Sequence, residues 1–241
     1  MADAELFAAA ASGDEATLAA ALAAGGDVDA QDDCGRSPLH IAAAAGHIGA
    51  VRLLVAKSDV ESEDEYGNTA AWLAYAAGHG DVAKLLLSAD EDADVNATNE
   101  GGRTCLHAAA AKRDAAFAAW LLERGASTDA TDAKRDTPLH VALAVGAWGV
   151  AELLVRAGAS VSAKGGRAET PLHAAARNAS GAPGRCDIIE LLLEKGADVG
   201  ARSVDSSRPS QLVGAGPKRV ADDDEVAGML SDAEASAGAG A

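Results

Sequence analysis

The chain has 241 residues, 49% hydrophobic but only 3% aromatic, which argues against one deep core of large side chains and for cohesion spread over many small contacts. Its formal net charge of −17 sets the surface against phosphate backbones and toward basic partners. Three widely spaced cysteines, Cys34, Cys105 and Cys186, spell neither a disulfide framework nor a C-x-x-C metal or redox site, so a reducing compartment is expected.

At the N-terminus, MADAELFAAAASGDEATL carries early acids and no basic n-region, so it does not read as a signal peptide. Nowhere do eighteen apolar residues run together, which excludes a membrane-spanning helix of that kind. The expected location is the cytoplasm or the nucleus, and there the sequons at Asn96 and Asn178 are chance matches.

Further along, one tetrapeptide returns: SPLH at 37–40, TCLH at 104–107, and TPLH at 137–140 and 170–173. With Thr69 included, the first positions Ser37, Thr69, Thr104, Thr137 and Thr170 are spaced by 32, 35, 33 and 33 residues. Other marks keep the same register. Gly46, Gly78 and Gly146 close a first apolar stretch; leucine pairs such as Leu53-Leu54, Leu121-Leu122 and Leu153-Leu154 follow, then Gly125-Ala126, Gly158-Ala159 and Gly196-Ala197. A period near 33 is the mark of a repeat architecture.

Each period reads as two short helices and a turn. Ser or Thr offers a capping oxygen, and Pro38, Pro138 and Pro171 fall at the first helical position, where a missing N–H costs nothing. About eight alanine-rich residues later a glycine ends the helix, and a second, more apolar helix such as AVRLLVAK or DIIELLLEK runs to another glycine. One such pair buries too little apolar surface to stand alone at roughly 25 cal/mol per Å². Stacked neighbours supply the rest.

These motifs resemble the ankyrin repeat, whose unit is a turn, a T-P-L-H helix, a second helix with a leucine pair, and G-A-D-V-N-A. The match covers residues 28–200 and includes CGRSPLHIAAAAGH, YGNTAAWLAYAAGHGDVAKLLL, GGRTCLHAAAAKRD, RDTPLHVALAVG and ETPLHAAARN. The resemblance implies an all-α fold: an ankyrin-repeat solenoid of stacked helix-turn-helix units with hairpin-like turns and capping repeats at both ends. Residues 1–31 are expected to form the N-terminal capping repeat, because Leu6, Gly13 and Leu18 lie 33 residues ahead of Leu39, Gly46 and Val51. Residues 32–201 then hold five repeats. A degenerate C-terminal capping repeat is expected over 202–232, with RPSQLV in the T-P-L-H place and DDDEVAGML as a closing helix, and a disordered tail over 233–241. Arg135 and Ala168 stand where the family has glycine, which puts the turn geometry there in question.

In the family the T-P-L-H imidazole ties adjacent units together through the backbone and the cap hydroxyl. That role is carried here onto His40, His107, His140 and His173, and with His47 and His79 at the family's G-H mark no histidine is left for catalysis. There is no G-x-x-x-x-G-K-[ST], H-E-x-x-H or G-x-S-x-G. Asp90, Asp92 and Asp94 open like a calcium loop, but Val95 and Gly101 stand where glycine and glutamate are required; the plain reading is an inter-repeat loop lengthened by two residues. Cys105 at a helix start could favour a thiolate, with a buried inert thiol as the alternative. No catalytic residue, metal or cofactor is expected.

The acids crowd the first hundred residues, with 19 against 4 basic side chains, while 101–201 holds 11 against 12. Family partners grip turn tips and the exposed side of each first helix. Carried over by position, the partner-binding residues are Asp33, Arg36, Glu63, Glu65, Tyr66, Asn68, Glu100, Arg103, Lys134, Asp136, Lys164 and Arg167. The helix side offers Ala44, Ala45, Ala76, Ala77, Ala111, Lys112, Ala144, Val145, Arg177 and Asn178. Trp72 and Tyr75 are expected to fill an alanine-rich core, and Tyr66 to be exposed as an anchor. The expected function is a non-catalytic, monomeric adaptor, scaffold or regulatory inhibitor subunit that binds a protein partner, through a basic segment, with no direct nucleic-acid or membrane contact. The alternatives are a regulator that masks a surface of a DNA-binding protein or an enzyme complex, and a small thiol enzyme.

Overall fold

The computed structural model describes residues 2–89, 93–178, 184–214 and 223–238. Among them are thirteen α-helices, two 3-10 turns and no β-strand, the one β feature being an isolated bridge between Glu63 and Thr69. The chain divides into two compact units, Met1–Cys105 and Leu106–Ala241.

Unit 1 alternates first and second helices: α1 (Ala2–Ser12), α2 (Glu15–Ala23), α3 (Pro38–Ala45), α4 (Ile48–Val55), α5 (Ala70–Ala77) and α6 (Gly80–Leu86). α1, α3 and α5 pack side by side as one layer, with α2, α4 and α6 as the other. Helix α7 (Cys105–Lys112) begins at the boundary. Unit 2 continues with α8 (Ala115–Glu123), α9 (Pro138–Val145), α10 (Trp148–Arg156), α11 (Pro171–Arg177), α12 (Arg185–Glu194) and α13 (Asp223–Gly238). There α9 packs on α11, while α8, α10, α12 and α13 pack in series.

The helices are short because each is bounded by its own chemistry. Pro38, Pro138 and Pro171 open α3, α9 and α11, and left-handed glycines close α3, α5 and α9. Helices of eight residues are unstable alone. In α3, α7, α9 and α11 they hold because one leucine each, Leu39, Leu106, Leu139 and Leu172, is at most 1% exposed, each contributing roughly 1.5–3 kcal/mol. The buried alanines around them let the layers approach closely.

The histidines of the tetrapeptide bind as the resemblance implies. The Ser37 N–H donates to His40 Nδ1 at 3.1 Å and the Ser37 hydroxyl lies 2.8 Å from the same nitrogen. Nδ1 is therefore the acceptor, so the proton sits on Nε2, which donates to the Asn68 carbonyl of the following turn at 3.2 Å. Within unit 2 the Nε2 atoms of His107, His140 and His173 reach the carbonyls of Asp136, Glu169 and Ser207 at 3.0–3.1 Å.

Other side chains cap the carbonyl ends of neighbouring first helices, groups an isolated helix leaves unsatisfied. In unit 1, His47 Nε2 donates to Ala11 O at 3.0 Å. In unit 2, Asn178 Nδ2 donates to Leu143 O and Ala144 O at 2.8 and 2.9 Å, and Arg113 donates to Val145 O. Arg185, 1% exposed, bonds Ala175 O and Ala176 O and pairs with the equally buried Asp223 at 2.7 Å, which fastens the start of α13.

Two sequence expectations meet corrections. RPSQLV makes a 3-10 turn, Pro209–Leu212, not an α-helix. The tail expected to be disordered from 233 is helical to Gly238, since alanine-rich sequence propagates a helix that Ser210 and Arg208 hold through Glu234. The lengthened loop at 90–92, residues 179–183, Asp222 of the closing segment and the last residues, 239–241, lie outside the described residues.

Burial pushes the His40 and His140 imidazoles below their ordinary value, against the opposing pull of the Asn68 and Glu169 carbonyls and the Asp64 and Asp136 charges. The folded state thus binds fewer protons than the unfolded chain. Their contribution is complete above the unfolded value of about 6.5 and falls as pH drops through it toward the lower folded value, by up to about 1.4 kcal/mol per pH unit for each histidine. Urea unfolding at pH 7.5 and pH 5.5 is expected to show a lower midpoint in acid; an equal or higher one would refute neutral, proton-donating imidazoles. Separately, Ala168 has φ 54°, where a side chain costs about 1 kcal/mol. Ala168→Gly is expected to raise the melting temperature by a few degrees; a fall would show the strain is absent.

Candidate partner-binding site

The turns between repeats share one five-residue form at 32–36, 64–68 and 99–103 in unit 1 and at 132–136, 165–169 and 203–207 in unit 2. In each, the first residue's N–H donates to the fifth residue's carbonyl, and the fourth residue's N–H to the first carbonyl, at 2.7–3.2 Å. The fourth residue always has positive φ: Gly35, Gly67 and Gly102, but also Arg135, Ala168 and Ser206 at 54–67°. Arg135 and Ala168 therefore keep the family's turn geometry despite lacking glycine. At Gly35 and Gly67 a Cβ would come within 2.9 Å of the next turn's backbone nitrogen, so glycine is required there on space as well.

An acid or amide in the first position closes the turn from inside. Asp32 Oδ1 accepts the N–H groups of Cys34 and Arg36, Asp64 Oδ1 those of Tyr66 and Asn68, and Asp132 Oδ1 those of Lys134 and Asp136, at 2.8–3.0 Å. Gly165 lacks such a side chain, and the Asp136 carboxylate takes its place, accepting the Gly166 N–H at 2.8 Å. A Cβ on Gly165 would meet that oxygen at 2.4 Å. Sequence reading missed these structural roles of Asp32, Asp64, Asn99 and Asp132, although a D/N-x-x-G or D-x-x-R spacing would have shown them.

The remaining acids of the connecting segments also work partly inward. Asp3 accepts the Asp27 N–H, Asp29 the Asp59 N–H and Glu61 the Asp94 N–H in unit 1; Asp129 accepts the Ser160 N–H in unit 2, all at 2.9–3.3 Å.

In unit 1 Asp33, Glu63, Glu65, Tyr66, Glu100 and Arg103 are exposed. Arg36 is half-buried and held by Asp32 at 2.7 Å, which keeps the Asp32 carboxyl below its usual range. Asn68 is not available to a partner. It is 7% exposed, bonds both Asp64 oxygens at 3.1 Å, and accepts from Asn99 at 3.2 Å. Tyr66 is 57% exposed, and the adjacent Glu65 pushes its phenol up, as it does the Cys34 thiol. Tyr75 is buried and Trp72 half-buried, as a core-filling role requires, but Trp72 Nε1 is buried without a hydrogen-bond partner.

In unit 2 Lys134, Lys164 and Arg167 are exposed and Asp136 is half-buried. On the helix side Ala144 and Arg177 are exposed, whereas Asn178 is 8% exposed and occupied with α9, which removes it from any partner-facing set.

The thiol alternative finds no support in geometry. Cys105 is 5% exposed and burial pushes its thiol up to about 12, far from a thiolate at neutral pH. Among the described residues no three His, Cys, Asp or Glu side chains are grouped to hold a metal ion. Iodoacetamide at pH 7.5 is expected to leave Cys105 intact in the folded chain and to modify all three cysteines in urea, read by peptide mass. Equal rates in both states would return thiol chemistry to consideration.

A family model described as ankyrin repeats matches three times, over residues 6–99, 88–165 and 106–203. Among solved structures, the crystal structure of the human ASB11 ankyrin repeat domain superposes with a TM-score of 0.73 at 25% identity, covering 93% of this chain and 96% of that one. No curated protein matches the chain. Repeat family, turn geometry and imidazole bonds agree, and the chain belongs to the ankyrin-repeat family.

Proposed function

We propose that this chain, ankyrin repeats being in general protein–protein interaction modules, is a non-catalytic adaptor, scaffold or regulatory inhibitor subunit acting as a monomer in the cytoplasm or nucleus, and that unit 1 docks a basic segment of a protein partner. The observation that carries the reading is the exposed set on the unit 1 turns: Asp33, Glu63, Glu65 and Glu100 around a tyrosine left 57% accessible. A large aromatic surrounded by like charge is a poor way to keep a protein soluble and a good way to hold an oppositely charged chain, because the ring gives contact area at low entropic cost and the acids steer encounter.

The acids that close the turns do not weaken this reading. Each has a structural assignment inside its own turn and is distinct from Asp33, Glu63, Glu65 and Glu100, and Glu65 pushes up both the Tyr66 phenol and the Cys34 thiol. A net charge of −17 disfavours direct nucleic-acid binding. No described helix is long and apolar enough to cross a membrane.

Cross-linking and mass spectrometry in a native extract would supply the partner, whose affinity is then measured against salt. Affinity is expected to fall steeply with ionic strength, and Glu63→Lys and Tyr66→Ala each to weaken binding about tenfold, roughly 1.4 kcal/mol. An affinity indifferent to salt and to both substitutions would sink the charged-edge reading.

A further inference from the structure

Unit 2 contains a surface of opposite character. Two adjoining hollows of about 620 and 370 Å³ share Ala144, Glu169, Ala174 and Arg177. Their walls bring together four cations, Arg113, Lys134, Arg167 and Arg177, all exposed. The two carboxylates that also line them are both engaged: Asp136 accepts the Gly166 N–H, and Glu169, whose side chain is 12% exposed, pairs with Arg177.

Three of the cations are tethered without being neutralised as donors. Arg113 donates to the Val145 carbonyl, Arg177 pairs with Glu169, and Arg167 pairs with the exposed Asp205. A guanidinium has five N–H donors, and each contact leaves most of them unused while fixing where the group stands. Lys134 stands at a turn tip, in the third position of the 132–136 turn.

We propose that this groove binds an acidic peptide segment of a protein partner, its carboxylates taken by Lys134, Arg167, Arg177 and Arg113 and its backbone lying over the alanine floor. Charge complementarity selects the occupant. Small residues at Ala144 and Ala174 keep the floor shallow, which suits an extended chain whose same-side carboxylates recur about every 7 Å. The overall charge of −17 does not forbid it, because at 0.1 M salt the screening length is about 10 Å and acids beyond it are largely silent. The surface is independent of the acidic edge of unit 1, and failure of that reading leaves this one standing.

The test is fluorescence anisotropy of the full-length chain with a fluorescein-labelled decaglutamate peptide in 100 mM salt, with decaglutamine as the neutral control. Binding of the acidic peptide only is expected, weakening at least tenfold in the K134Q/R167Q/R177Q variant and two- to fourfold in Lys134→Gln. Lys195→Gln, at the end of α12 away from the groove, is expected to stay within twofold. Helical circular dichroism of the triple variant confirms that it folds, and Lys134→Gln, at an exposed tip, keeps the test open if it does not. Absence of decaglutamate binding, or equal binding by the folded variants and the parent, would overturn the proposal. So would tighter binding of a single-stranded DNA 15-mer, which would point to nucleic acid, or groove-dependent self-association in sedimentation velocity, which would make a second copy the occupant.

Discussion

The bond on which the rest of the structure depends runs from a histidine of one repeat to the backbone of the next turn. The fifth carbonyl of each turn accepts its own turn's N–H and, at Asn68, Asp136, Glu169 and Ser207, the imidazole of the preceding repeat as well. A carbonyl can only accept, so the imidazole must present N–H there. Where the cap N–H points at Nδ1, as in the repeats of His40, His140 and His173, the ring must also be neutral, which burial enforces at His40 and His140. One side chain thus closes its helix and registers the adjacent repeat. A histidine so engaged is committed to the fold.

What surface they offer follows from the turn. Positions one, four and five are consumed by its internal geometry, through the side chain at Asp32, Asp64 and Asp132, the positive φ at the fourth place, and the shared carbonyl at the fifth. The second and third positions carry no such internal duty. In unit 1 they read Asp33-Cys34, Glu65-Tyr66 and Glu100-Gly101; in unit 2 Ala133-Lys134, Gly166-Arg167 and Val204-Asp205. These positions therefore display acids around an aromatic in unit 1, and Lys134 and Arg167 beside Asp205 in unit 2, at no cost to the internal hydrogen bonds of the turns. Steering by such fields acts on encounter rates and on the choice of partner more than on final affinity.

Much of this was legible in the sequence. The tetrapeptide spacing located α3, α5, α7, α9 and α11, and the exposed Tyr66 and buried Tyr75 followed from their places in the period. The rest depended on contacts between residues about thirty apart. Asn68 and Asn178 both look like surface amides, yet Asn68 bonds the Asp64 carboxylate of its own turn and the Asn99 amide of the next, and Asn178 the carbonyls at the end of α9, because a short polar side chain beside a turn acid or an unsatisfied carbonyl finds a partner there. Arg185 lies two residues ahead of the stretch DIIELLLEK read as a helix and is among the most buried side chains, its charge balanced by Asp223 thirty-eight residues on. Leaving such a group uncompensated costs about 3–5 kcal/mol, so the end of the chain is committed to this pairing. Periodicity carries no information about it. Trp72 breaks the pattern openly, but that its indole nitrogen would stay without an acceptor was not readable from the substitution alone.

The positive-φ positions join the two levels. In unit 1 glycine fills all three of them in the turns, and at Gly35 and Gly67 crowding from the next turn requires it. Unit 2 instead places Arg135, Ala168 and Ser206 in its turns, with Arg113 at the end of α7, where α3, α5 and α9 end on glycine. Each such residue costs about 1 kcal/mol or more and persists only where its surroundings over-determine the backbone. At Ala168 nothing in the structure explains the exchange for glycine. At Arg113 the cost has a counterpart, because the guanidinium satisfies the Val145 carbonyl at the end of α9 while standing in the wall of the basic groove. A glycine at 113 would relax the backbone, uncap α9 on that side and remove one of the four cations together. The strained backbone and the groove's charge are therefore properties of one residue, and neither can be changed without the other.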